Sequence, residues 1–242
     1  MSHPSIESRA TPTGITLTHV TDLYRKYEND LRRVRAEQRA LRHRNPTLKA
    51  QLDDLEAEIT YLLVRDTRPG VIVEIGSLHG WSTNWLLRAL RDNGTGRLFT
   101  HDLIDNARRN VAPELAAGRW TFVRGDARQS LRDHGHDIDY LFIDAAHTAA
   151  FARWFVGELF PTVGSGVPVS VHDVFHGRRP WPLSEGRVVL SWLARRETAY
   201  FTASRAAAPA VNEALTTLKA GLDLSERVHH GRDDPMLFFR MP

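Results

Sequence analysis

The stretch Val71-Ile72-Val73-Glu74-Ile75-Gly76-Ser77-Leu78-His79-Gly80, followed at once by Trp81-Ser82-Thr83-Asn84-Trp85-Leu86-Leu87, decides the fold. VIVEI is short, apolar and β-branched, as expected of a strand buried on both faces of a parallel sheet. The segment from Trp81 onward has helical character, so residues 76–80 form a strand-to-helix turn of the form E-x-G-x-x-x-G. Its glycines, Gly76 and Gly80, let backbone approach a ligand closely, and the start of the following helix offers free N–H groups. The same spacing also serves an ordinary tight turn. The G-x-G-x-x-G of a dinucleotide loop is absent. An acidic Glu74 suits a ligand carrying an ammonium group and a positive centre better than it suits a pyrophosphate.

On the C-terminal side the pattern repeats. Arg97–Asp102 (RLFTHD), Trp120–Asp126 (WTFVRGD), Asp139–Asp144 (DYLFID) and Val167–Asp173 (VPVSVHD) read as strands. They are separated by helix-like sequence to about Leu115 and by a helix from about Thr148 to Phe160. Beyond Gly177 the expected elements are a helix near Gly186–Arg196, a strand at Thr198–Ala203, a helix near Ala208–Leu222 and a terminal strand at Met236–Met241. Strands alternating with helices imply a parallel sheet covered on both faces, and right-handed crossovers make it doubly wound. The expectation is a Rossmann-like, mainly parallel seven-stranded α/β sheet over residues 67–242.

On the N-terminal side the grammar is helical. Residues 1–18 read as irregular, with Pro4, Pro12 and Gly14 as breakers. Leu23, Tyr27, Leu31, Val34 and Leu41 predict a helix over about Asp22–Arg44, ended by Asn45-Pro46. Leu48, Leu52, Leu55, Ile59 and Leu62 predict a second over about Thr47–Arg65. Residues 1–66 are therefore expected to be a helical extension, a lid or the arm of a homodimer. The first helix is dense in arginine (Arg32, Arg33, Arg35, Arg39, Arg42), interleaved with Glu28, Asp30 and Glu37. A solvated helix face is one reading and an anion-binding patch the other.

The 242 residues hold 32 Lys and Arg against 29 Asp and Glu, a net charge of +3, so nothing in the overall balance demands a polyanionic partner. The absence of cysteine excludes disulfides, thiolate metal sites and thiol catalysis within the chain. With no apolar run long enough to span a membrane and no signal-like start, a soluble cytoplasmic protein is expected.

Ligands of open α/β sheets bind beyond the carboxyl ends of the strands, where strand order reverses. At those tips stand Asp102, whose carboxylate can accept from ribose hydroxyls, and Gly125-Asp126-Ala127, where Asp126 can accept from an adenine amino group or cap a helix. The fourth and fifth strands end at Asp144 and Asp173. As neighbours their tips lie roughly 5 Å apart, and two carboxylates so placed call for a compensating charge such as Mg²⁺. A metal there lowers the pKa of a substrate hydroxyl and aligns it. His147, three residues past Asp144, is the candidate general base, with His172 and His176 beside the fifth tip as further candidates. Arg178, Arg179, Trp181 and Glu185 follow at the mouth, able to contact an acceptor or simply to pack or remain solvated.

These motifs in this order resemble the class I S-adenosylmethionine-dependent methyltransferases, over roughly residues 70–176. VEIGSLHGWST resembles the first motif of small-molecule O-methyltransferases, Thr100-His101-Asp102 the ribose-binding motif and Arg124-Gly125-Asp126-Ala127 the adenine-pocket motif. The resemblance implies S-adenosylmethionine as cofactor, with Glu74, Gly76 and Ser77 on its methionine and ribose side and Asp102 on its ribose. Asp144-x-x-His147 and His172-Asp173 resemble the cation-dependent O-methyltransferases acting on sugars and natural products, and relatives grouped with a cephalosporin hydroxylase. In catechol-type members a lysine occupies the place of His147, and Asp-Asn stands where this chain has Asp173-Val174. The third metal ligand is therefore open. His172 is available but softer than Mg²⁺ prefers. The implied function is methyl transfer to a hydroxyl of a small molecule. Nucleic-acid methylation, using the arginine-rich helix, and a non-methylating cofactor-binding relative are the rivals.

Overall fold

The computed structural model describes residues 14–134 and 137–242, with Asp133 and His134 described by backbone alone. The irregular reading of the first residues falls largely outside them. Three helices come first: α1 (Leu17–Lys26), α2 (Glu28–Arg44) and α3 (Asp54–Thr67). The single helix expected over 22–44 is two, broken at Tyr27, whose backbone (φ −111°, ψ 21°) leaves the helical region. The helix expected from Thr47 starts only at Asp54. Asp53 is its N-cap, and its side chain and that of Glu56 form a reciprocal capping box. Leu48 and Leu52 are buried as expected, but from an irregular segment.

The remainder alternates: β1 (Val71–Ile75), α4 (Trp81–Asn93), β2 (Arg97–Asp102), α5 (Pro113–Ala116), β3 (Trp120–Arg124), α6 (Ala127–His134), β4 (Tyr140–Ile143), α7 (Ala149–Trp154), β5 (Pro168–Val171), α8 (Glu185–Arg195), β6 (Tyr200–Phe201), α9 (Pro209–Gly221) and β7 (Leu237–Arg240). Between β2 and β3 the expected helix is reduced to a 3₁₀ turn at Asn106–Arg109 and the single turn of α5. The helix expected to Phe160 passes from α7 into a π-helical turn at Phe155–Leu159.

The seven strands form one sheet of order β3-β2-β1-β4-β5-β7-β6, parallel except that β7 runs antiparallel to both its neighbours. Alternation along the strands feeds two apolar layers. Ile72, Leu98, Tyr140, Phe142 and Phe238 face the layer of α3 and α4, whereas Val73, Ile75, Leu141, Ile143 and Phe239 face the layer of α7 and α8. The N-terminal helices belong to the first layer. α3 packs against α4 and α1, and is buried continuously from Leu55 to Arg65.

The arginines of α2 are largely committed within the chain. Arg32, Arg35 and Arg42 donate to the carbonyls of Leu222, Glu226 and Val228, tying α2 to the segment after α9. Arg33 pairs with Asp30 and Asp92. Arg35 is buried against Glu58, which also accepts from Tyr24 (2.7 Å) and Lys219 (2.9 Å). This stretch is thus a structural seam as well as a helix face. Among the described residues no helix is long and apolar enough to cross a membrane.

Candidate functional site

Strand order reverses between β1 and β4, and the turn after β1 lies against the end of β4. Gly76 has φ +85°, and a Cβ there would stand 1.9 Å from the carbonyl oxygen of Asp144. Only glycine fits so close a crossing. Beyond it opens a cavity of about 320 Å³, lined among others by Gln51, Gly76, Leu78, His101, Asp102, Gly125, Asp126, Ala127, Asp144 and Phe151. That is enough for a small-molecule site.

Five of the residues expected at the cofactor line this cavity: Gly76, Asp102, Gly125, Asp126 and Ala127. Asp102 also holds the turn. Its Oδ2 accepts from the Ser77 amide (2.7 Å), the Ser77 hydroxyl (3.0 Å) and the Leu78 amide (2.9 Å), and its Oδ1 from the Ile104 amide (3.1 Å). Asp126 is half-exposed. It caps α6 through the Arg128 amide (2.9 Å) and pairs with the Arg128 guanidinium, which lowers its pKa.

Glu74, Ser77 and Gly80 are not among the lining residues. Strand alternation turns Glu74 to the same side as Ile72, under α4, rather than toward the tip. There its carboxylate accepts from Ser82 (2.6 Å), Thr83 (2.8 Å) and Thr100 (2.6 Å). Burial pushes this carboxyl up to about 7, against the opposing effect of those hydroxyls. The ammonium contact expected of Glu74 therefore has no carboxylate facing the cavity. Ser77 is turned to Asp102. Gly80 (φ +83°) is the left-handed residue at the start of α4, against Ala107.

Next to the cavity the tips of β4 and β5 gather the ionisable groups. Asp144 belongs to both, forming part of the cavity wall while its Oδ1 lies 3.0 Å from His172 Nδ1 and 3.4 Å from His147 Nε2. Asp173 completes the group, with Oδ2 3.5 Å from His147 Nε2 and Oδ1 3.5 Å from His172 Nδ1. His147 (φ +49°) and Asp173 (φ +55°) both hold left-handed backbone, a strain more common at functional sites than elsewhere. For Asp144, His147 and His172 burial disfavours the charged form, but opposite charges outweigh it. Asp144 is held below the usual carboxylate range by His172 and His147. His147 is raised to about 10 by Asp144 and Glu185, and His172 well above its ordinary value by Asp144 and Glu56. His176 sits further out, 3.7 Å from Asp173 Oδ1, with its ring 5.4 Å from that of the exposed Trp181. It reaches Asp173 rather than Asp144.

Two glutamates join this group from elements distant in sequence. Glu185, in the first turn of α8, places Oε2 3.5 Å from His147 Nδ1. Gly186 permits that approach, since a Cβ there would stand 2.6 Å from the Val174 carbonyl. Sequence reading placed Glu185 at the mouth; it is buried. Glu56, from α3, places Oε2 3.4 Å from His172 Nε2. Its only sequence signal was the capping box Asp53-x-x-Glu56, which marks a helix start and nothing more. Gln51, on the cavity wall, had no signal. A second buried acidic group, Asp53, Glu56 and Asp234, adjoins the first through Glu56, and burial with its acidic neighbours pushes Asp234 up to about 8.

The residues fit a divalent cation. One ligand atom each from Asp144, His147 and His172 lies within 4.8 Å of the others. Asp144 Oδ2 and Glu185 Oε1 are buried without a hydrogen bond, whereas Asp173 Oδ1 and Glu185 Oε2 have only histidine nitrogens at 3.5 Å. Buried carboxylate oxygens left so are costly unless something positive meets them.

Comparison with known proteins agrees with this geometry. Residues 73–174 match the family described as a methyltransferase domain. No curated protein matches the sequence significantly. Among solved structures, the O-methyltransferase TomG of Streptomyces achromogenes, involved in tomaymycin synthesis and in complex with SAM, is 18% identical with a TM-score of 0.55, covering 96% of this chain and 91% of that one. The Bacillus cereus O-methyltransferase in complex with SAH is 17% identical at TM-score 0.54, covering 94% and 100%. The SAH-bound methyltransferase PaMTH1 of Podospora anserina is 18% identical at 0.53, covering 86% and 88%. At such identities the likeness is one of fold. Together with the matched segment, which spans β1 to the tip of β5 and so both halves of the site, it shows a class I methyltransferase fold, with a methyltransferase-domain match over residues 73–174.

Proposed function

We propose that this protein is an S-adenosylmethionine-dependent O-methyltransferase acting on a hydroxyl of a small molecule, with a divalent cation held at Asp144, Asp173 and His172. The observation that carries the reading is the double membership of Asp144, which is both a wall of the cavity and a member of the buried cluster. A methyl donor in the cavity and a hydroxyl at the cluster would thus be adjacent. The SAM- and SAH-bound neighbours support the choice of donor.

In this reading Gly76, Gly125 and Ala127 admit the nucleoside, and Asp102, already fixed by the turn, offers its remaining acceptor capacity to the ribose. Asp126 faces the adenine end. A divalent cation held at Asp144, Asp173 and His172 would supply positive charge that lowers the acceptor hydroxyl's pKa and offsets the carboxylate field at His147. His147 would take the hydroxyl proton on Nε2, which faces Asp144 and Asp173, while Glu185 at Nδ1 fixes ring and tautomer. His176 and Trp181 border the outer side, where the acceptor enters.

Calorimetric titration with SAH, with and without Mg²⁺ or Mn²⁺, followed by turnover on a panel of hydroxylated acceptors, tests the proposal. Asp144→Ala and Asp173→Ala should abolish turnover and leave SAH affinity largely intact. Turnover persisting in either variant refutes the metal-carboxylate reading.

A further inference from the structure

His172 is buried among carboxylates that reach it from two sides and from segments distant in sequence. Its Nδ1 faces Asp144 at 3.0 Å and Asp173 at 3.5 Å, inside the cluster. Its Nε2 faces away, toward Glu56 Oε2 at 3.4 Å. Glu56 is 1% exposed and belongs to α3, outside the matched segment. The same Oε2 accepts from the Asp53 amide (2.9 Å), so the capping box that starts α3 also fixes where this oxygen stands. A metal-ligating histidine characteristically donates its second ring N–H to a carboxylate, which sets the tautomer and raises the basicity of the ligating nitrogen.

We propose that Glu56 is the outer carboxylate of a Glu56–His172–metal chain, so that the N-terminal helical region is part of the metal site. Glu56 is a positioning residue here. It acts through His172, keeping the proton on Nε2 and leaving Nδ1 to face the cation between Asp144 and Asp173. Such a site mixes nitrogen and oxygen donors and is suited to Mn²⁺ as well as Mg²⁺. The inference rests on the reading that the cluster holds a cation. What it adds is the residue that makes His172 a ligand, and a reason for α3 to be packed rigidly against the sheet.

The test uses the full-length chain and Mn²⁺, followed by electron paramagnetic resonance. Free Mn²⁺ reports affinity, and nitrogen modulation of the bound ion reports a directly bound imidazole. Glu56→Gln keeps an acceptor for the Asp53 amide, and hence the cap, but removes the charge behind His172. Expected is a 10–100-fold weaker Mn²⁺ affinity in Glu56→Gln, with SAH affinity unchanged. His172→Gln should lose the His172 nitrogen modulation and weaken binding as well. The double variant should be no weaker than His172→Gln alone, because the effect of Glu56 passes through the ring. Wild-type affinity in Glu56→Gln, or losses that multiply in the double variant, overturns the proposal and leaves the cation reading standing. A wild-type chain that binds no Mn²⁺ overturns both. Loss of SAH binding in Glu56→Gln would show the residue holding the fold rather than the ring, and overturns the proposal too.

Discussion

Glu74 offers a quantitative test of where the first strand points its acid. The perturbation is Glu74→Gln, which keeps the size of the side chain and an oxygen for the hydroxyls of Ser82, Thr83 and Thr100 while removing the titration. The wild-type carboxyl is fully buried and raised from 4.5 to about 7. The unfolded chain therefore ionises it first. Its favourable contribution is complete below about 4.5 and is lost as pH rises through about 7. From that shift, ionised Glu74 disfavours the fold by about 1 kcal/mol at pH 5 and by about 3 kcal/mol at pH 8, a difference of about 2 kcal/mol. Full burial means that no solvent screening reduces it. Urea denaturation of both proteins at these two pH values should show Glu74→Gln gaining about 2 kcal/mol on wild type between pH 5 and pH 8. SAH titration at pH 8 should give affinities within about twofold, since the carboxylate does not face the cavity. If SAH affinity falls tenfold or more while the difference in stability stays flat with pH, Glu74 is an ionised ligand contact and its placement under α4 is wrong.

Two further predictions test the crossing at β4 and the α2 seam. Gly76→Ala must relieve a Cβ placed 1.9 Å from the Asp144 carbonyl, whereas at Gly94 (φ +71°) a Cβ meets nothing within 4 Å. Gly94→Ala should cost about 1 kcal/mol of backbone strain, and Gly76→Ala clearly more together with loss of SAH binding; equal effects in denaturation and calorimetry would contradict the close crossing. Arg35→Met leaves Glu58 with Lys219 and Tyr24 but removes its buried guanidinium, and should destabilise by about 3 kcal/mol. Arg39→Ala, whose partner Glu226 is 77% exposed, should stay within about 0.5 kcal/mol, and comparable losses in the two would deny Arg35 its buried role.

Much of the cavity was legible because it is local. The spacing of Glu74, Gly76 and Gly80, and the residues ending β2, β3, β4 and β5, lie within a few positions of strands whose β-branched runs announce themselves. Doubly wound connectivity then brings the tips to one end. Asp144, His147, His172 and Asp173 are neighbours for that reason. Boundaries failed where helical spacing was counted without the cap. Leu48 and Leu52 continue the stripe of α3, yet Asp53 is where the helix begins, since its side chain satisfies the first free amides.

The sequence by itself determined the alternation of strands with helices, the glycine-bearing turn after the first strand, and which acids stand at the strand tips. These follow from chain-local chemistry and from the handedness of parallel crossovers. Only the tertiary structure decided what those acids face. Strand alternation turned Glu74 under α4 and away from the cavity. The packing of α8 brought Glu185 to His147, and that of α3 brought Glu56 to His172, across distances in sequence that no periodicity encodes. The arginines of α2, ambiguous as a string of charges, became anchors for residues 222–228 once the fold supplied the carbonyls. A charge declares its sign in the sequence, but its partner is chosen by whichever chain segments the packed layers press together.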